Sequence, residues 1–314
     1  MLDNLLFSLN ISLPLFVMMG LGCLLAHKGL FTEDYIARTT DLVYYVLLPG
    51  KLFLDIATMD LSTAFDVRYM AVTLTGAMLQ FGLAWVCGNL LCRDRRKQSA
   101  FAHACFRGNF VYLGVALLQN IYNTNSVASA ALILLVVMPL YNIQGVILMS
   151  VKEGKGELRL GSLLLAVLKN PAVLAILAGL PFAWFQIPLP YVASKSLEYF
   201  RSALSTVALL LVGSTIRLDV IRSNLRLLLK ISGVKLVLIP ALWAAFSAWA
   251  GLTAEQIATL TIVGAMPAAV NVYVVTGKMG GDGEVASGAV VLTHLLSLFT
   301  MTGVVFLLKS LGMV

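Results

Sequence analysis

The chain has 314 residues, of which 60% are hydrophobic and 12% charged, with a formal net charge of +7. A soluble domain carries about 25% charged residues, and a mean hydropathy of +0.92 is more than a water-facing surface supports. These figures exclude a soluble enzyme or a soluble nucleic-acid-binding module, and they leave a polytopic, all-α membrane protein whose partner is the lipid bilayer.

Ten apolar segments follow one another, each with the roughly 20 residues that a spanning helix needs. Segment one, 5–26, follows Asp3, which is acidic where a cleavable leader is basic, so it is read as a retained helix. Segment two, 36–57, carries Asp41, Tyr44 and Tyr45 and an expected break at Pro49-Gly50. Segment three covers 69–91. Segment four, 99–122, is interrupted by Arg107-Gly108-Asn109. Segment five, 127–151, carries Tyr141, Asn142 and Gln144 just after Pro139. The hydrophilic run Lys152–Arg159 contains Gly154 and Gly156 and reads as a linker. It divides the chain into a first repeat at 1–152, a cytoplasmic linker at 153–159 and a second repeat at 160–314.

Segments six, seven and eight cover 160–183, 193–216 and 227–250, and segment seven offers Ser205, Thr206, Gly213, Ser214 and Thr215. Segment nine, 254–278, is interrupted at Met266-Pro267, with Asn271 one turn on. Segment ten, 284–308, holds His294 deep in its span. The turn before it, Gly280-Gly281-Asp282-Gly283, is a tight interhelical connection rather than a phosphate cradle.

Lys and Arg alternate along the loops. With the N-terminus outside, the inside loops hold fourteen of them, including Arg93, Arg95, Arg96 and Lys97, and the outside regions hold four. Such a bias sets orientation and predicts an even number of spans with both termini outside. Lys51, Arg107, Lys169 and Lys235 fall within spans.

Gly108 and Pro267 lie 159 residues apart, as do Gly20-Leu21 and Gly179-Leu180, and Val127–Leu134 matches Val285–Leu292 at five of eight positions with an offset of 158. The near-constant offset predicts two repeats of five helices. Five is odd, so the second repeat enters the membrane inverted, and matched broken helices then point to a solute site near the midplane. Pro267 removes a donor and clashes with the preceding turn; Gly108 is a weaker breaker. Arg107 lies near the midplane, where charge costs on the order of 3 kcal/mol on insertion scales and faces a cavity or a partner. Two roles stay open for it: a structural guanidinium bonded to freed carbonyls, or an anion ligand. With Asn109, Asn271 and two half-helix N-termini it suits a carboxylate.

Coupling is thinly encoded. Proton or sodium coupling is possible, with His294 and Asp41 as titratable candidates beside His103; no acidic cluster marks a sodium cage. Cys23, Cys87, Cys92 and Cys105 form no CxxC pair, so zinc and dithiol chemistry are not expected. Nor is there a phosphate-loop, nucleophile-elbow or HExxH motif, so no metal, cofactor or enzymatic activity is expected.

Phe106-Arg-Gly-Asn-Phe-Val-Tyr-Leu-Gly114 resembles the first crossover motif of the auxin efflux carrier family, and Gly264-Ala-Met-Pro-Ala-Ala-Val-Asn-Val-Tyr273 resembles the second. Lys169-Asn-Pro171 and Leu177-Ala-Gly-Leu180 are similar to its segment six. The resemblance implies a fold like that of the bile-acid/sodium symporters, with segments four and nine crossing at their breaks. Segments 1, 2, 6 and 7, with Tyr44, Pro49, Gly213 and Ser214, would form a dimerising scaffold. Segments 3–5 and 8–10 would move against it in elevator fashion. Substrate would sit at Arg107, Gly108, Asn109, Pro267 and Asn271, with Tyr141 or Asn142 contributing. Small carboxylates such as malate or malonate are the expected cargo of the bacterial type, to which the short linker is similar. A sodium-coupled symporter of a bulkier anion or a neutral solute is the alternative. Many members carry Pro where Gly108 stands, and the acidic sodium ligands of the symporters have no clear match here.

Overall fold

The computed structural model describes residues 2–58, 66–153, 171–214, 221, 224–270 and 272–314. Within them the chain is helical, and the only pairing of extended backbone is one isolated antiparallel bridge, between Gly108 and Ala268. The helices are α1 (Leu2–His27), α2 (Glu33–Leu42), α3 (Leu48–Ala57), α4 (Val67–Leu91), α5 (Arg95–Phe106), α6 (Val115–Glu153), α7 (Pro171–Trp184), α8 (Tyr191–Ser214), α9 (Leu225–Gly233), α10 (Ile239–Trp249), α11 (Ala254–Ala265), α12 (Val272–Lys278) and α13 (Gly283–Ser310). Among the described residues four helical runs are long and apolar enough to cross a membrane: α1, α4, Leu225–Trp249 and α13. Large apolar side chains such as Leu13, Val86, Phe299 and Leu307 stand exposed along these runs, as a lipid-facing surface requires. The expected linker and the Lys169-Asn170 part of segment six lie outside the described residues.

Short polar residues start the helices where the loops were expected. Thr32, Asp66, Asp94 and Asp282 each accept from a backbone N–H of the first turn, and Thr253 with Gln256 forms a reciprocal capping box. Asp66 also accepts from Gln256 Nε2 at 3.0 Å, and Arg68 donates to the Ala250 carbonyl. The start of α4 and the α10–α11 turn therefore share one end of the bundle. The Gln256 amide and the Tyr69 N–H hold the Asp66 carboxyl below the usual carboxylate range. At another meeting of helix ends, Arg95 donates to the Lys152 carbonyl, Lys97 to Asn224, and the Asp282 N–H to the Arg96 carbonyl. Asn4 donates to Ser310 at 3.1 Å, so the two terminal helices begin and end side by side.

Helix α6 has 39 residues and would measure about 58 Å if straight. Its later part nevertheless returns to α5, since Asn142 bonds Arg107 and Gln98 bonds Lys152. The expected boundary between segments four and five therefore falls inside one helical run.

The expected break at Pro49-Gly50 is not a break. The helix continues through it, and the distortion takes the form of a π turn, Val43–Leu47, immediately before the proline. A second π turn, Val234–Leu238, precedes Pro240 in the same way. The wider turn makes room for a ring that would otherwise collide with the carbonyl four residues back.

Small residues set the closest contacts. Gly22 lies against the Leu210 backbone and Gly213 against the Met19 backbone, so α1 and α8 touch main chain to main chain. Gly179 of α7 abuts Ile56 of α3, and α3 also packs on α8. Around the breaks, Gly76 of α4 and Gly264 of α11 both accommodate the fully buried ring of Trp243.

Candidate functional site at the paired breaks

The two interruptions meet. Helix α5 ends at Arg107, whose backbone is extended, and α11 ends at Met266, also extended. The two extended stretches run antiparallel. The Asn109 N–H donates to the Pro267 carbonyl at 2.7 Å, and the Ala269 N–H to the Arg107 carbonyl at 2.8 Å. Each break thus satisfies backbone groups that the other's helix has released. The Ala268 N–H goes to Thr293 Oγ1 of α13 at 3.1 Å. The Ala268 and Ala269 N–H groups are thus committed within the protein.

Arg107 is half-buried and donates through Nη2 to Asn142 Oδ1 at 2.9 Å. Tyr44 and Tyr141 lie within its electrostatic reach, and Tyr141 also meets Phe106 edge to face. A methyl group built on Gly145 would lie 3.9 Å from Arg107 Nη1 and 3.5 Å from His103 Nε2. Among the described residues no carboxylate lies within ion-pair distance of Arg107. The guanidinium is therefore held by the neutral Asn142 side chain.

Asn109 is buried, and its Nδ2 lies 3.1 Å from His294 Nε2. The other ring nitrogen, Nδ1, lies 2.7 Å from the Val290 carbonyl. A carbonyl accepts only, so Nδ1 carries the proton and Nε2 accepts from Asn109. His294, the leading expected proton carrier, thus places one nitrogen on the Asn109 amide and the other on the Val290 carbonyl. Asp41 is exposed on α2. Pro49 is half-buried in α3. Gly213 serves the α1–α8 contact, and the Ser214 hydroxyl donates to the Leu211 carbonyl of its own helix. Asn271 lies outside the described residues.

Four further groups complete the site, and the sequence reading had given them no role or only a minor one. Gln80 of α4 accepts from the Trp243 indole and donates to the Phe106 carbonyl, the last carbonyl before the break. His103 places Nδ1 2.9 Å from the Thr276 hydroxyl, and its buried Nε2 has no partner among the described residues. Thr293 supports Ala268, as above. Lys235 is fully buried in the π turn Val234–Leu238 and faces Gly108. The only available signal was each group's polarity inside an apolar span, with its partner far away in sequence. Among the described residues no three His, Cys, Asp or Glu side chains converge as a metal-ligand set.

Paired broken helices around a buried cation describe a solute carrier, and the comparisons with known proteins agree. The model of the membrane transport protein family matches residues 8–305. The chain belongs to this family, that of the auxin efflux carriers. It is 23% identical over 303 residues, 95% of each chain, to a Rhizobium meliloti (strain 1021) protein named "Putative malonate transporter". It is 24% identical over 274 residues to "Uncharacterized transporter YfdV" of Escherichia coli (strain K12), covering 85% of this chain and 86% of that one. Membership makes the protein a membrane transporter.

Proposed function

We propose that the protein is a secondary transporter of small organic anions, mono- or dicarboxylates such as malonate or malate, working by alternating access across the cytoplasmic membrane. One observation carries the reading: the two breaks hydrogen-bond to each other, and the half-buried guanidinium of Arg107 stands beside them without an acidic partner among the described residues. A carboxylate satisfies that guanidinium by charge and by its two-pronged hydrogen-bond geometry. The name of the Rhizobium relative points to the same chemistry.

The architecture that serves this function is ten spans in two inverted repeats with both termini outside. The contact of Asn4 with Ser310 supports termini on one side. The charge bias supports that side being outside. In this reading α1, α3, α7 and α8, which pack on one another through glycines, form the scaffold and its dimer face. The helices around the breaks form the moving part, and an elevator step carries Arg107 from one side to the other.

The test is uptake of labelled malonate or malate into proteoliposomes by wild type and Arg107→Ala. The reading expects saturable uptake by wild type and loss of it in the variant. Equal, saturable uptake by both would remove Arg107 from the substrate site.

A further inference from the structure

Two lysines are fully buried in the described residues, and the fold treats them differently. Lys51 pairs with Asp55, which also takes Arg201. Among the described residues Lys235 has no acid and no hydrogen-bond partner for its Nζ. The elements packed on its π turn bring up few ionisable groups. Cys105 of α5 donates to the Ile231 carbonyl at 3.7 Å, and His294 of α13 is already engaged with Asn109 and Val290. Helix α11 carries only Glu255, at its far end.

The ammonium abuts the first break. A methyl group built on Gly108 would lie 3.2 Å from Lys235 Nζ and 3.6 Å from the Val263 carbonyl oxygen. Pro267, four residues after Val263, has no N–H for that carbonyl. Gly108 therefore leaves a niche in which the ammonium meets bare backbone. Arg107 is extended, and neighbouring side positions on extended backbone face opposite ways. Arg107 and Lys235 thus flank the crossover from its two faces, and neither has an acidic partner among the described residues. A buried, unpaired ammonium carries a large desolvation cost, and one that persists calls for a negative charge brought in from outside.

We propose that Lys235 is the charge-selecting residue of the crossover: its ammonium, behind Gly108, adds a second positive charge to that of Arg107 and makes the site favour doubly over singly charged carboxylates. The proposal rests on the carboxylate reading above. Lys235 acts across the thin layer of backbone rather than by touching the ligand. At an effective dielectric of about 20, a charge several ångströms away changes affinity on the order of tenfold for each unit of ligand charge.

Malonate and monomethyl malonate differ by one charge at nearly equal size. Their binding to the full-length protein in detergent would be measured for wild type, Lys235→Met, Lys235→Gln and Lys235→Arg, with the unfolding temperature of each. Wild type is expected to prefer malonate at least tenfold. The two neutral variants should lower that ratio about tenfold, and Lys235→Arg should keep it. Equal binding of the two ligands by wild type overturns the proposal without any variant. So does a neutral variant that weakens both ligands alike and keeps the ratio, because a merely structural lysine would do this. If wild type binds neither ligand, the carboxylate reading itself fails and the proposal falls with it.

Discussion

The two breaks look alike in outline and differ in how they are made. The second is intrinsic: Pro267 lacks the N–H that would close the helix, and its neighbours Met266, Ala268 and Ala269 are apolar. The first is conditional: nothing in Arg107-Gly108-Asn109 forbids a helix. It stays open because Gln80 takes the Phe106 carbonyl, His294 holds Asn109 and the second break pairs with its backbone. The chain thus pairs an apolar break, set by proline, with a polar break held open against it.

Substitutions at the two breaks should therefore fail in different ways. The largest effect belongs to Arg107→Met. Truncating one member of a desolvated charge pair costs about 2–5 kcal/mol, so carboxylate binding should fall at least about thirtyfold with little change in unfolding temperature. Pro267→Ala should act in the opposite sense. It restores a donor for the Val263 carbonyl, so the protein should be at least as stable while transport in proteoliposomes drops sharply. A variant that is both destabilised and fully active would break the comparison.

Gln80→Leu tests whether the first break is conditional. It leaves the Phe106 carbonyl and the buried Trp243 N–H without partners, each worth about 1–3 kcal/mol. Thermal unfolding should come earlier and malonate binding should weaken, whereas Pro267→Ala spares stability. The smallest effect lies at the bundle end. The Asp66 carboxyl is held low in the fold, so its stabilisation is present above the ordinary carboxylate range and fades as pH falls through its lowered value. Asp66→Ala should cost about 1 kcal/mol near neutral pH, and the difference from wild type should shrink in acid. It should leave binding at the breaks unchanged.

Much of this was legible in the residues. Composition gives the membrane class, the Gly108–Pro267 offset gives the matched breaks, and the capping residues give the helix starts. Local signals misled at Pro49, because a proline announces a distortion but not whether a π turn will absorb it. At His294 a buried imidazole is visible in the sequence, but its partners, the Asn109 amide and the Val290 carbonyl, are not. Gln80 and Trp243 lie 163 residues apart, and Asn109 and His294 185 apart. Such pairs come together only through the fold, and no spacing rule reaches them.

The central claim is that the paired breaks hold a carboxylate on Arg107, and ligand-induced stabilisation tests it directly. A ligand at 100 times its dissociation constant stabilises the native state by about 2.7 kcal/mol. Malonate or malate should raise the unfolding temperature of the purified wild type in a saturable manner and leave Arg107→Met unmoved, while both proteins unfold at the same temperature without ligand. An equal, saturable rise in the two proteins would contradict the account.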